Sequence, residues 1–196
     1  MRKHLLGAAT VLLVLSAQDT EPSCNRCSAT YISSKELQAY LNRAPAKANA
    51  VSDQQVRAVN AGKSNIDIAV VYRGRLSGGQ AAVAEHDLVS EVYHILDGSA
   101  TLVTGSDIVD LKRRPADNEN VRMLNGPGGN GVSIRNGVSH HLKPGDVIVI
   151  PAGVGHWFTS IDDHIRYLMV RIDPDKVTPL KDEAASQADL SGRRPR

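Results

Sequence analysis

The chain has 196 residues, which limits the core to one compact unit of ordinary domain size plus extensions. Aromatic residues make up only 4%, so Val, Ile, Leu and Ala must fill most of the interior. Lys and Arg number 23 against 21 Asp and Glu, and removing Arg2 and Lys3 with a leader would leave 21 of each. That balance gives no electrostatic reason to expect nucleic acid or an anionic membrane as partner.

Met1-Arg2-Lys3-His4 forms a positive start, and Leu5 to Leu15 is an apolar run of signal-peptide length. Ser16-Ala17 supplies small residues for cleavage, so residues 1–17 read as a signal peptide. The run is too short for a membrane span, which takes about 20 apolar residues. The expected destination is periplasmic or extracellular, with no membrane contact after cleavage.

Residues 18–54 read as an extension. Cys24-Asn25-Arg26-Cys27 lies in a polar segment without strand or helix periodicity. A local disulfide suits an oxidising compartment, and free thiols are the alternative. A redox CxxC normally opens a helix on a sheet, and a zinc site needs four ligands; neither setting is predicted here. Ser33 to Asn42 carries a Ser cap and apolar residues at helical spacing, which predicts a short helix. Pro45 to Ser52 reads as a connector.

From about residue 55 the pattern changes to short β runs separated by turn residues. Val56–Val59, Ile66–Tyr72, Gln80–His86, Glu91–Leu96, Ala100–Thr104, Asp146–Ile150, His156–Thr159 and Ile165–Ile172 are the expected strands. Asp97-Gly98 and Pro144-Gly145-Asp146 are the clearest turn signals between them. Such spacing implies an all-β barrel or sandwich over residues 55–175. Residues 108–141, rich in Arg, Asn, Gly and Pro, read as one long loop, either a cover for the barrel mouth or a surface insertion. Residues 176–196 read as a C-terminal tail ending in Arg193-Arg194-Pro195-Arg196.

Strand alternation puts Ala84 with His86 on one face and Glu91 with Tyr93 on one face of the next strand. His156 opens a later strand. Two imidazoles and a carboxylate suit iron, manganese, zinc or nickel, provided all three point into the same barrel. Tyr93 then faces the interior, as pocket wall or as proton donor. Arg171 either places a cation in the pocket or lies on an outer face with Tyr167 and Met169. Alternation sends Glu85 and His94 outward; His140 and His141, beside the long loop, read as solvated loop histidines or as groups reaching a site from above, and His164 as a surface turn residue.

The segment Ala84 to Gly98 resembles the first motif of the cupin superfamily, with His86, Glu91 and Gly98 matching its second His, Glu and Gly. The segment Gly145 to His156 resembles the second motif, with Gly145, Pro151, Gly153 and His156 at the expected offsets. Two positions depart from the pattern: Ala84 stands where the first His is expected, and Ser160 where an Asn is usual. The resemblance implies a double-stranded β-helix, or jelly-roll barrel, pairing into a homodimer, to which the helix read at Ser33 to Asn42 adds a short N-terminal helical extension. It implies one divalent transition metal ion (Zn, Mn, Ni or Fe) on His86, Glu91 and His156. The missing first His leaves three ligands and more open positions, or a site whose metal binding is weakened or lost. The functions expected are a metal-dependent enzyme acting on a small molecule (oxygenase, isomerase or lyase), or a non-catalytic small-ligand-binding protein. Export disfavours easily oxidised Fe(II).

Overall fold

The computed structural model describes residues 24, 27–44, 48–76 and 82–192. The expected signal peptide (1–17), the basic end (193–196), part of the connector, and Gln80 and Ala81 of one expected strand lie outside the described residues. Among the described residues no helix is long and apolar enough to cross a membrane.

Helix α1 (Ser34–Leu41) begins where the Ser33 side chain accepts a hydrogen bond from the Glu36 amide, as its Ser-x-x-Glu spacing predicts. Strands β1 (Val51–Asn60) and β2 (Asn65–Leu76) form an antiparallel pair, and β3 (Val83–His86) leads into the 16-residue β4 (Ser90–Gly105). Short strands β5 (Ile108–Val109) and β6 (Lys112–Arg113) come next, then a π-helical turn (Val121–Asn125) and β7 (Gly128–Gly131). Strands β8 (Ser133–Ile134), β9 (Val138–Leu142) and β10 (Val147–Ile150) precede β11 (Gly155–Asp173) and helix α2 (Glu183–Leu190). The expected all-β barrel is what the chain forms.

Strand β11 organises the barrel. It pairs with β2, β3 and β4, while β4 also pairs with β9 and β10. The runs expected as separate strands on either side of Asp97-Gly98 are one continuous strand, as are those on either side of Asp162-Asp163. The turn residues bend these strands and do not reverse them. Gly98 has φ 76°, and a Cβ there would collide with the His164 backbone carbonyl, so the two irregular stretches lie against each other only because position 98 has no side chain.

The main core gathers Ala69 and Val71 of β2, Tyr93, Ile95 and Leu102 of β4, and Phe158, Ile161, Ile165, Tyr167 and Met169 of β11. Burying each large apolar side chain of this kind contributes about 1.5–3 kcal/mol. Strand β2 is buried on both faces. Its outer residue Val70 meets Tyr40 and Leu41 of α1 and Val56 of β1 in a second cluster, with Leu190 of α2 packed on it. A buried ion pair between Arg57 and Glu36 (2.8 Å) ties α1 to β1.

Two stretches differ from the sequence reading. The tail expected at 176–196 contains α2, which docks: the Tyr40 hydroxyl donates to the Ser186 carbonyl at 3.0 Å, and Lys181 and Ala58 exchange backbone hydrogen bonds of 2.9 Å. The long loop expected at 108–141 holds five strand segments. Strand β7 pairs along the whole of β3, Val83 with Gly131 through to His86 with Gly128. Its glycines allow that approach, because a Cβ on Gly128 or Gly131 would meet neighbouring backbone carbonyls. Glycines that read locally as loop serve tertiary packing here.

Candidate metal centre

His86 ends β3, Glu91 follows as the second residue of β4, and His156 stands near the start of β11. All three side chains are buried inside the barrel, and one ligand atom from each lies within 4.8 Å of the other two. His86 Nε2 is 3.4 Å from Glu91 Oε1, and His156 Nε2 is 3.5 Å from Glu91 Oε2. Two metal–ligand bonds of about 2.1 Å meeting near the tetrahedral angle hold their outer atoms roughly 3.4 Å apart. The donor chemistry and the spacing both fit a divalent transition ion.

Electrostatics prepare the three groups differently. Burial pulls His156 down to about 4, so its imidazole is neutral at physiological pH. Its Nδ1 faces the Val154 carbonyl at 3.4 Å, which favours the proton on Nδ1 and leaves the Nε2 lone pair free. Burial also pushes the Glu91 carboxyl up, but His86, His156 and Arg171 outweigh it and hold the group well below the usual carboxylate range. His86 Nδ1 instead lies 3.5 Å from Arg114 Nη1, a donor. That contact favours an Nδ1 without a proton, whereas ligation through Nε2 needs the proton on Nδ1. Arg114 Nη1 has a nearer acceptor in the Glu85 carbonyl at 3.1 Å, so the contact with His86 is the weaker one and can yield.

Behind the trio lies a polar layer that the sequence pattern mostly does not show. Arg171, 1% exposed, faces the interior. In register it lies directly across from Glu91 on one side and Asp67 on the other. Its Nε donates to Glu91 at 3.3 Å, and its other nitrogens pair with Asp67 (3.5 Å) and with Asp53. Burial works against the Arg171 charge, and the three carboxylates more than offset it. Asp67 is pushed up to about 6 by burial, against the pull of Arg171 and Gln55. The signal for this layer was an Asp inside the apolar run Ile66–Tyr72 and an Arg inside the run Ile165–Ile172. Only the tertiary register shows that they meet.

Tyr93 shares its face with Glu91, as alternation predicts, and its hydroxyl donates to Glu91 Oε2 at 2.6 Å. Burial, with the Glu91 charge beside it, raises this phenol well above its ordinary value, so it remains a proton donor. Its ring packs on Tyr167, 4.4 Å between centroids. Ala84 opens onto the same space, a cavity of about 480 Å³ also lined by Asp53, Arg73, Arg114, Asn130 and Met169.

The remaining expected residues lie elsewhere. His94 is exposed on the outer face. Glu85 points away from the cavity, toward Arg113 at 3.5 Å. His140 and His141 are on β9 and not in a loop, with His140 within 3.0 Å of the Thr104 hydroxyl. His164 is a bulged β11 residue that contacts Asp97 and Asp163. Cys24 and Cys27 form a disulfide with Cα atoms 5.6 Å apart.

The family model described as Cupin matches residues 44–188, about three quarters of the chain. The chain belongs to the cupin family. Among curated proteins none matches it. Similar solved structures include a cupin with a double-stranded β-helix fold from Methanocaldococcus jannaschii, at 18% identity and TM-score 0.37, covering 67% of this cupin and 88% of that chain. The EutQ protein of Clostridium difficile is 14% identical at TM-score 0.37, covering 64% and 70% of the two chains. The DMSP lyase DddQ from Ruegeria pomeroyi DSS-3 is 18% identical at TM-score 0.40, covering 66% of this cupin. The present chain spans about half (49%) of that lyase.

Proposed function

We propose that this protein is an exported, metal-dependent cupin enzyme that acts on a small molecule held in the barrel. The observation that carries this reading is the buried trio His86, Glu91 and His156, with ligand atoms within 4.8 Å, opening onto a polar cavity. The two imidazoles and the carboxylate would hold one divalent ion, which when bound supplies a Lewis acid for an oxygen of the substrate. His86, His156 and Arg171 keep Glu91 ionised, and Tyr93 holds a proton 2.6 Å from Glu91 Oε2 at the cavity wall. With Ala84 in place of a fourth ligand, positions on the ion stay open for water or substrate.

The Cys24–Cys27 disulfide supports export, since such bonds persist in oxidising compartments. A homodimer belongs to the same reading. Val147 and Val149, each 61% exposed on β10, form an apolar outer strand that a second copy would cover. The second reading, a non-catalytic ligand-binding cupin, draws on the same Ala84, because losing a ligand also weakens metal binding.

Elemental analysis of the mature protein beside His86→Ala, Glu91→Ala and His156→Ala separates the two. About one equivalent of a single transition metal, lost in each variant while the barrel stays folded, is the expected result. A metal-free wild type, even after reconstitution with Zn, Mn, Ni and Fe(II), would leave the binding-protein reading in its place.

A further inference from the structure

Two guanidinium groups line the cavity, Arg73 and Arg114, with Arg171 behind it, and they are used differently. Arg171 has three carboxylate partners. Arg114 is consumed by backbone and amide acceptors: the Glu85 carbonyl, the Gly129 carbonyl at 2.8 Å and Asn130 Oδ1 at 2.7 Å. Arg73 is different. It stands on the interior face of β2, in alternation with Asp67, Ala69 and Val71, and lines the same cavity as His86, Glu91 and His156. Its guanidinium lies 4.5 Å from the Phe158 ring centroid, and its Nε donates to the Tyr167 hydroxyl at 3.0 Å.

These two contacts orient the guanidinium plane but use only Nε and the π face. Among the described residues Arg73 forms no ion pair, and Nη1 and Nη2 have no hydrogen-bond partner. A cation held by two aromatic side chains at a cavity wall, with its two-pronged end unpaired among the described residues, has the chemistry that a carboxylate matches bidentately. Nearby, Asp53 lines the cavity with Oδ1 buried and without a hydrogen-bond partner, while Oδ2 is paired with Arg171.

We propose that Arg73 anchors the carboxylate of a small organic acid, so that the other end of the molecule reaches the His86, Glu91 and His156 trio. A cavity of about 480 Å³ suits such a ligand. Which end faces the trio rests on the metal-dependent reading above; the anion anchor itself needs no metal.

The test is calorimetric titration of acetate, succinate, malate, succinamide and inorganic phosphate into the full mature protein. It is run metal-loaded and after chelation, with Arg73→Gln and Arg73→Lys beside the wild type. At least one carboxylate is expected to bind the wild type in both states, with succinamide much weaker. Arg73→Gln should lower that affinity roughly tenfold or more, Arg73→Lys by less, and neither should change metal stoichiometry. Carboxylate binding that needs Arg73 in a protein that takes up no metal would keep the anchor and remove the metal reading. Metal uptake with unchanged carboxylate affinity in Arg73→Gln would do the reverse. If Arg73→Gln does not fold, Arg73→Lys decides, and wild-type affinity in it overturns the anchor. No carboxylate bound by the wild type, or phosphate bound more tightly than all of them, also overturns it.

Discussion

Ala84 lies directly across from His156 in the pairing of β3 with β11. Residues opposite each other in an antiparallel pair hold their Cβ atoms about 4.5–5.5 Å apart, within reach of a shared ion. The position at which the family's first His is missing therefore borders the trio. Ala84→His should raise metal affinity tenfold or more and reduce the water exchangeable on the ion, measured by chelator competition and water-proton relaxation with Mn. Unchanged affinity would mean that this wall of the cavity does not face the ion.

Tyr93 and Glu91 are linked by a hydrogen bond of 2.6 Å in a fully buried setting. Partners that orient a ligating carboxylate typically matter ten- to a hundredfold in metal affinity. Tyr93→Phe is expected to weaken metal binding about tenfold while the barrel remains folded, as read from chelator competition beside thermal unfolding. Wild-type affinity in this variant would reduce Tyr93 to a packing role.

Asp67 gives the metal-free protein a pH dependence of definite sign. Its folded-state value, about 6, lies above the ordinary 3.8, so the folded state holds this proton more tightly than the unfolded state. The associated stability is fully present below pH 3.8 and is lost as pH rises through about 6. At about 1.4 kcal/mol per unit, the difference is on the order of 3 kcal/mol. Urea unfolding of the chelated protein between these pH values should show that contribution in the wild type and not in Asp67→Asn. Parallel pH profiles for the two proteins would show that Asp67 does not titrate there.

The Arg57–Glu36 pair is a test of scaffold separate from site. Arg57 Nε and Nη1 already lack partners, so Glu36 supplies its only charge compensation among the described residues. Glu36→Ala should cost about 3–5 kcal/mol in denaturant unfolding and leave metal stoichiometry unchanged. A cost below about 1 kcal/mol would mean that Arg57 is hydrated in the variant.

Much was legible in the chain itself. The alternation of β2, β4 and β11 follows from side chains that repeat every two residues, so Glu91 and Tyr93 had to share a face and His94 had to leave it. The Ser33 cap and the all-β class follow from equally local rules, while His86, Glu91 and His156 stood out through the resemblance of two segments to the cupin motifs. Other features depend on distant partners. Gly98 has the composition of a turn, yet the His164 backbone against it makes the position a bend within one strand. Gly128 to Gly131 look like loop until β3 lies alongside them. Asp67, Glu91 and Arg171 are far apart in sequence and become a buried ion cluster only through the register of three strands. Local periodicity determined which face each side chain takes; the tertiary structure alone decided what waits across that face, because burial and charge compensation are set by residues distant in the chain.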